Sequence, residues 1–177
     1  MYKKLLLFIC VAAILHTSCD LQSPNTNKKG EDKIESHETD LTNTEISEKA
    51  EVSKTVYVPI YSSIYSKTRN QSMLLTATLS IRNTSLKHNI FIITIDYYNT
   101  KGDKVRRYLE KPIELKPLET IDYVIEEDDN EGGSGANFIV EWKAENSDVN
   151  PIIEAVMLGT FGQHGFSFLT EGVEVND

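Results

Sequence analysis

The chain has 177 residues, a formal net charge of −9, 40% hydrophobic residues and 8% aromatic residues. That length suits one domain plus a tail, and the composition suits a globular protein facing water. The negative balance repels nucleic acid and anionic lipid head groups, which excludes an electrostatic nucleic-acid binder.

The N-terminus reads as an address. Met1-Tyr2-Lys3-Lys4 is followed by an apolar run from Leu5 to Leu15 and then by His16-Thr17-Ser18-Cys19. A basic start, a short apolar stretch and small residues before a cut make a secretory signal peptide over residues 1–18. The run is too short for a bilayer span, which needs about 20 apolar residues. The close on cysteine resembles the lipobox of bacterial lipoproteins, which implies acylation of Cys19 and a membrane anchor through its lipid. His16 departs from that pattern, which has Leu, Val or Ile three residues before the cysteine. The alternative is an ordinary signal peptide cut near Ser18, leaving a soluble secreted protein. The other cysteine, Cys10, lies inside the apolar run. The body therefore holds no disulfide framework, thiolate metal site or thiol nucleophile.

Residues 19–52 are Asn, Thr, Ser, Lys, Glu and Asp with scattered Leu21, Ile34, Leu41 and Ile46. No apolar period persists, so this acidic and polar stretch is expected to be a flexible, disordered tether. As a coil of about 30 residues it would hold the following domain roughly 30 Å from the membrane. A short helix near Thr44–Val52 has no apolar face to dock it.

From residue 53 to 177 the pattern is that of strands. Leu75, Ala77, Leu79 and Ile81 alternate with Thr76, Thr78, Ser80 and Arg82, as a half-buried strand does. Phe91, Ile93, Ile95 and Tyr97 alternate with Ile92, Thr94, Asp96 and Tyr98, and Asn99-Thr100-Lys101-Gly102 then turns the chain. Val105 to Leu109 is a short return strand. Ile121, Tyr123 and Ile125 face one way; Phe138, Val140 and Trp142 alternate with Ile139, Glu141 and Lys143. Ile152 to Thr160 and Phe166 to Val175 supply the last strands. Short, evenly spaced strands with no helical period predict an all-β, antiparallel β-sandwich, and their order resembles an immunoglobulin-like module. Pro112 and Pro117 fit loops or strand ends.

Several strings carry a family resemblance. They are Val56-Tyr57-Val58-Pro59-Ile60-Tyr61-Ser62 with Ile64-Tyr65, Leu75 to Thr84, and Asp96-Tyr97-Tyr98-Asn99. Further along come Gly132-Gly133-Ser134-Gly135-Ala136-Asn137-Phe138-Ile139-Val140-Glu141-Trp142, Glu154-Ala155-Val156-Met157 and Gly165-Phe166-Ser167-Phe168. Over about Val56 to Val175 the chain resembles the uncharacterised bacterial envelope family known as domain of unknown function 3124. The resemblance implies an exported, often lipid-anchored compact domain. It implies no activity and transfers no catalytic residue.

Three features are candidates for chemistry. The loop Glu126 to Gly135 gathers Asp128, Asp129 and Glu131 beside Gly132, Gly133 and Gly135, and its oxygens could collect Ca²⁺, although EF-hand spacing is absent. Its glycine N–H groups could cradle an anion, but no Walker lysine follows and the neighbouring carboxylates repel phosphate. Gly133-Ser134-Gly135 hints at a nucleophile elbow, yet a strand rather than a helix follows. His88 and His164 sit in no catalytic constellation. Trp142 is expected in the core, with ligand stacking as the alternative. Tyr57, Tyr61 and Tyr65, four residues apart in an apparent strand, would share one face, suited either to a protein or glycan partner or to covering the sheet. Tyr97 and Tyr98 would point one in and one out.

The sequence therefore predicts a lipid-anchored envelope protein with no cofactor and no enzymatic activity, acting as a protein-binding or assembly module. A small-ligand or Ca²⁺-binding lipoprotein is the alternative, with a hydrolase third.

Overall fold

The computed structural model describes residues 38–176. The expected leader 1–18, Cys19 and the first part of the tether lie outside the described residues. One short helix, α1 (Asn43–Lys49), precedes twelve strands. These are β1 (Val52–Pro59), β2 (Ser63–Tyr65), β3 (Ser72–Leu74), β4 (Thr76–Arg82), β5 (Ile90–Tyr98), β6 (Lys104–Arg107), β7 (Ile113–Leu115), β8 (Thr120–Ile125), β9 (Asn137–Ala144), β10 (Ile152–Phe161), β11 (His164–Glu171) and β12 (Val173–Val175).

The strands form two main antiparallel sheets. The first runs β12-β1-β9-β5-β6, with β7 also pairing β5; the second runs β11-β10-β4-β8; β2 and β3 form a separate hairpin. The sheets pack face to face because their alternating sequences each bury one side. In β8, Ile121, Tyr123 and Ile125 are buried while Thr120, Asp122 and Val124 point outward. In β10, Ile153, Ala155 and Met157 point inward. They meet Val56, Val58, Phe138, Val140 and Trp142 of the first sheet in one core. Each large apolar side chain buried this way contributes about 1.5–3 kcal/mol relative to exposure.

Strand β5 departs from simple alternation. Ile92 stands opposite Trp142 and Thr94 opposite Glu141, so Ile93 is an extra residue. Two residues facing one make a β-bulge, which switches the side-chain pattern beyond it. Ile90, Ile92, Ile95 and Tyr97 therefore enter the main core, whereas Phe91 and Ile93 turn to the outer face and pack with Ile46 and Leu41. The expected single face of Phe91, Ile93, Ile95 and Tyr97 is thus split.

The second correction concerns residues 38–52, expected as tether. Glu38 bridges to Ile113, and α1 lies on the outer face of the first sheet. Thr42 caps the helix by accepting from the Glu45 N–H, while the Glu45 carboxylate accepts from the Thr42 N–H, a reciprocal capping box. Those same contacts hold the Glu45 carboxyl below the usual range. Ile46 is 1% exposed, and Lys143 Nζ donates to Ser47 Oγ at 2.7 Å. One isoleucine suffices for docking because the bulge offers it Phe91 and Ile93.

After β11 the chain leaves the second sheet and joins the first as β12. Gly172 makes the crossing: a Cβ there would stand 2.5 Å from Val56 Cγ1 and 2.8 Å from the Ile153 carbonyl oxygen.

Candidate binding face

The outer face of the second sheet carries an apolar band. Register aligns Val124 of β8 with Thr78 of β4, Thr78 with Val156 of β10, and Val156 with Leu169 of β11. The neighbouring row aligns Thr76, Leu158 and Ser167. Val124 is 46% exposed, Val156 37%, Leu158 53% and Leu169 48%. These side chains face outward because their neighbours in sequence, Tyr123, Ala155 and Met157, take the inward positions. The next row places Asp122 opposite Ser80, Ser80 opposite Glu154, and Glu154 opposite Glu171. Arg82 reaches Glu154 at 3.4 Å. The result is an apolar strip with an acidic border, a surface suited to an apolar patch with a basic rim.

The outer face of the first sheet is organised differently. Asp96 is nearly buried and receives Lys104 Nζ at 2.6 Å and Arg107 Nε at 2.8 Å. The Arg107 guanidinium holds the Asp96 carboxyl below the usual carboxylate range, with Lys104 adding to the effect. The carboxylate in turn raises both cations. This triad ties β6 to β5, and its charges are spent on each other.

The three tyrosines do not form a face. Tyr57 lies on the outer face of β1, half-buried. The strand ends at Pro59, and Tyr61 turns inward to meet Phe168 edge-on at 5.7 Å. Tyr65 projects from the separate β2–β3 hairpin. The break at residues 60–62 destroys the assumed period of two. Tyr97 is buried and Tyr98 half-buried, one in and one out.

The acidic glycine loop is a structural joint. Asp129 is tied to Arg106 at 2.9 Å. The Gly133 N–H donates to Ser62 Oγ at 2.7 Å, and the Gly135 N–H donates to Thr100 Oγ1 at 2.9 Å. Thr100 Oγ1 also donates to the Gly132 carbonyl at 2.9 Å. The N–H groups of Gly133 and Gly135, which could have cradled an anion, are thus occupied. Among the described residues, no three His, Cys, Asp or Glu side chains come together as a metal site's would, Asp128, Asp129 and Glu131 included. Ser134 sits in a single 3₁₀ turn over Gly133–Gly135, not on an elbow leading into a helix. Trp142 is 1% exposed and belongs to the core. His164 stands at the β10–β11 hairpin. His88 borders a groove of about 320 Å³ with Lys87, Glu114 and Glu145.

Sequence reasoning missed the apolar band because β4 and β8 are far in the chain from the β10–β11 hairpin. The usable signal was Ile152-Ile153 and Val156-Met157-Leu158, where apolar residues occupy both phases of a period-two strand. Such a strand has apolar residues on both faces, and only one face can enter a two-sheet core.

These features define an all-β domain of two packed antiparallel sheets. The family model described as "Protein of unknown function (DUF3124)" matches residues 53–175, and the chain belongs to that family. Among solved structures, the one described as "Crystal Structure of Thermotoga maritima 1070" is similar at 13% identity, with a TM-score of 0.38. The match covers 68% of this chain and 92% of that one. No curated protein matches the chain. Among the described residues, no helix is long and apolar enough to cross a membrane.

Proposed function

We propose that this protein is an exported envelope lipoprotein, anchored through Cys19, whose domain is a non-catalytic protein-binding or assembly module of immunoglobulin-like sandwich type. The observation that carries the binding reading is the exposed band of Val124, Val156, Leu158 and Leu169 on three strands of one sheet, joined across β4 by Thr78. Apolar side chains brought together by register on three strands are more than scattered exposed leucines. Its acidic border selects a partner with a basic rim. The anchoring reading is supported by the leader and the cysteine that ends it, and the immunoglobulin-like reading by two antiparallel sheets joined through a terminal strand that changes sheet.

The test is a cross-linking pull-down from intact cells with the native chain, Cys19→Ala and the double variant Val156→Glu/Leu158→Glu. The expected result is a specific protein captured by the native chain, weakened by Cys19→Ala and lost with the double variant. Capture that is indifferent to both changes would overturn the proposal.

A further inference from the structure

A free sheet edge invites another strand, and most edges here are blunted against it. In the first sheet, β12 and β7 are three residues long, and β6 carries Lys104, Arg106 and Arg107. In the second sheet, β8 carries Asp122 and runs into Glu126-Glu127. The other edge of that sheet, β11, is open. It pairs with β10 through eight regular positions without a bulge, and Gly165 to Thr170 holds no charge and no proline.

The β10–β11 turn fixes which backbone groups of β11 lack a ladder partner. Phe161 pairs with His164 across Gly162-Gln163. Residues flanking such a two-residue turn exchange both hydrogen bonds, and bonded pairs then alternate along the ladder. The N–H and C=O groups of Gly165, Ser167, Leu169 and Glu171 therefore point away from β10. The side chains of these four stand on the outer face, in register with Thr160, Leu158, Val156 and Glu154. A strand added to the edge continues those rows. The row through Leu169 and Val156 is apolar. The row through Glu171 and Glu154 is acidic: Arg82 reaches Glu154 at 3.4 Å, while Glu171 has no ion-pair partner among the described residues. The other face of β11 offers Phe166 and Phe168, both only partly buried.

We propose that β11 receives an extended segment of the partner protein as a fifth, antiparallel strand, with a basic side chain opposite Glu171 and an apolar one opposite Leu169. The inference rests on the protein-binding reading above and names its mode, strand addition at an edge. The unpaired backbone groups hold the segment, and the rows select it. Its residues opposite Glu171, Leu169, Ser167 and Gly165 all point to the outer face. The first neutralises Glu171, the second extends the apolar band, and the last has room for a large ring because Gly165 carries no side chain. The alternate residues cover Phe168 and Phe166 on the other face. A second copy of this chain does not supply that complement. Laid antiparallel on itself in the registers near its centre, β11 sets Glu171 opposite Gln163, Gly165 or Ser167, none of them cationic. Two chains of net charge −9 also repel, whereas a basic segment is attracted.

The test titrates the full chain, as Cys19→Ala, with the synthetic peptide acetyl-Lys-Thr-Val-Ile-Thr-Val-Tyr-amide and follows backbone amide NMR shifts. The peptide's Lys is placed opposite Glu171 and its Tyr opposite Gly165. The largest shifts are expected at Ser167 and Leu169. N-methylation of the first Val, whose N–H faces β11, should weaken binding about tenfold through one lost hydrogen bond. N-methylation of the adjoining Ile, whose N–H faces solvent, should change it by no more than about threefold. A peptide with Glu in place of Lys should lose about tenfold, and Glu171→Lys should restore it. Equal effects of the two methylations, no restoration by the charge exchange, or no shift in β11 on a folded chain would overturn the proposal. A concentration-dependent dimer of the chain alone, reported by the same β11 amides, would overturn it in favour of a second copy. An inert peptide beside a pull-down that still depends on Val156 and Leu158 defeats strand addition and leaves the binding face standing. A pull-down indifferent to those residues defeats the binding face itself.

Discussion

The Tyr97 hydroxyl occupies the place where a β-carbon on Gly132 would stand, 2.0 Å from that ideal position. Tyr97 is fully buried, and among the described residues its hydroxyl makes no hydrogen bond of good geometry; burial pushes its pKa up, against a weaker downward pull from the nearby Ser62 side chain. Gly132 has ordinary right-handed angles, φ −72° and ψ −42°, so the requirement for glycine is one of space rather than backbone freedom.

Gly132→Ala is accordingly expected to destabilise the domain by about 1–3 kcal/mol through overpacking. Tyr97→Phe removes an unsatisfied buried hydroxyl and should be neutral or stabilising by about 1 kcal/mol. The double variant should recover part of the Gly132→Ala loss, because Tyr97 Cζ and Ala136 Cβ remain 2.7 Å from the new methyl. Urea denaturation of the four members of this cycle measures the coupling. Strict additivity would show that the two residues do not compete for the same space.

Asp96→Asn should cost about 1–3 kcal/mol, since it leaves Arg107 and Lys104 without their shared carboxylate; their own half-exposure keeps the loss below that of a fully buried pair. The pH dependence has a definite sign. The folded carboxyl titrates below its ordinary value of 3.8, so its contribution is present in full above that value and disappears as pH falls through the lower, folded value. Thermal midpoints measured from pH 6 to 2 should fall more steeply below pH 4 for the native chain than for Asp96→Asn.

Ile46→Ala should release α1 while leaving the two sheets intact. The expected cost is about 2–4 kcal/mol for the lost side chain, confined to α1 and the outer face of β5. Hydrogen exchange should quicken at Ile46 and Ala50, whose N–H groups close the helix onto Thr42 and Ile46 carbonyls, with Val140 and Leu79 unchanged.

The two sides of β10 should respond oppositely to substitution. Met157→Ala, in the core, is expected to cost about 2–5 kcal/mol. Leu158→Lys, one residue on and facing outward, should change stability by no more than about 0.5 kcal/mol. Paired melting curves of the two variants check the assignment of faces.

Much of this architecture was legible along the chain. Strands such as Thr76–Arg82 and Thr120–Ile125 alternate cleanly because one face is buried and the other wet. Legibility failed where a local event changed the phase. The bulge at Ile93 inserts one residue without any glycine or proline to announce it, and so misassigns Phe91 and Ile93. The loss of strand at Ile60-Tyr61-Ser62 scatters three tyrosines that a continuous strand would align. Helix α1 was hidden by its single apolar contact, although Thr42-Asn43-Thr44-Glu45 spells its capping box. The glycine loop suggested ligand binding because its partners, Ser62 and Thr100, are 71 and 35 residues away from the glycines they hold. The binding face was the least legible, being assembled across four strands by register alone.

The placement of β1 between β9 and β12 also has a mechanical meaning. Tension entering from the N-terminal side meets the Glu38–Ile113 bridge and then α1, held by Ile46 and by the contacts of Lys143, and peels them away with a small early give. The pull then travels along β1, which is matched to β9 through eight consecutive register pairs from Val52 to Pro59. Antiparallel ladder bonds lie perpendicular to their strands, so a force directed along β1 shears them together instead of opening them one after another. The domain is built to yield slightly and then hold.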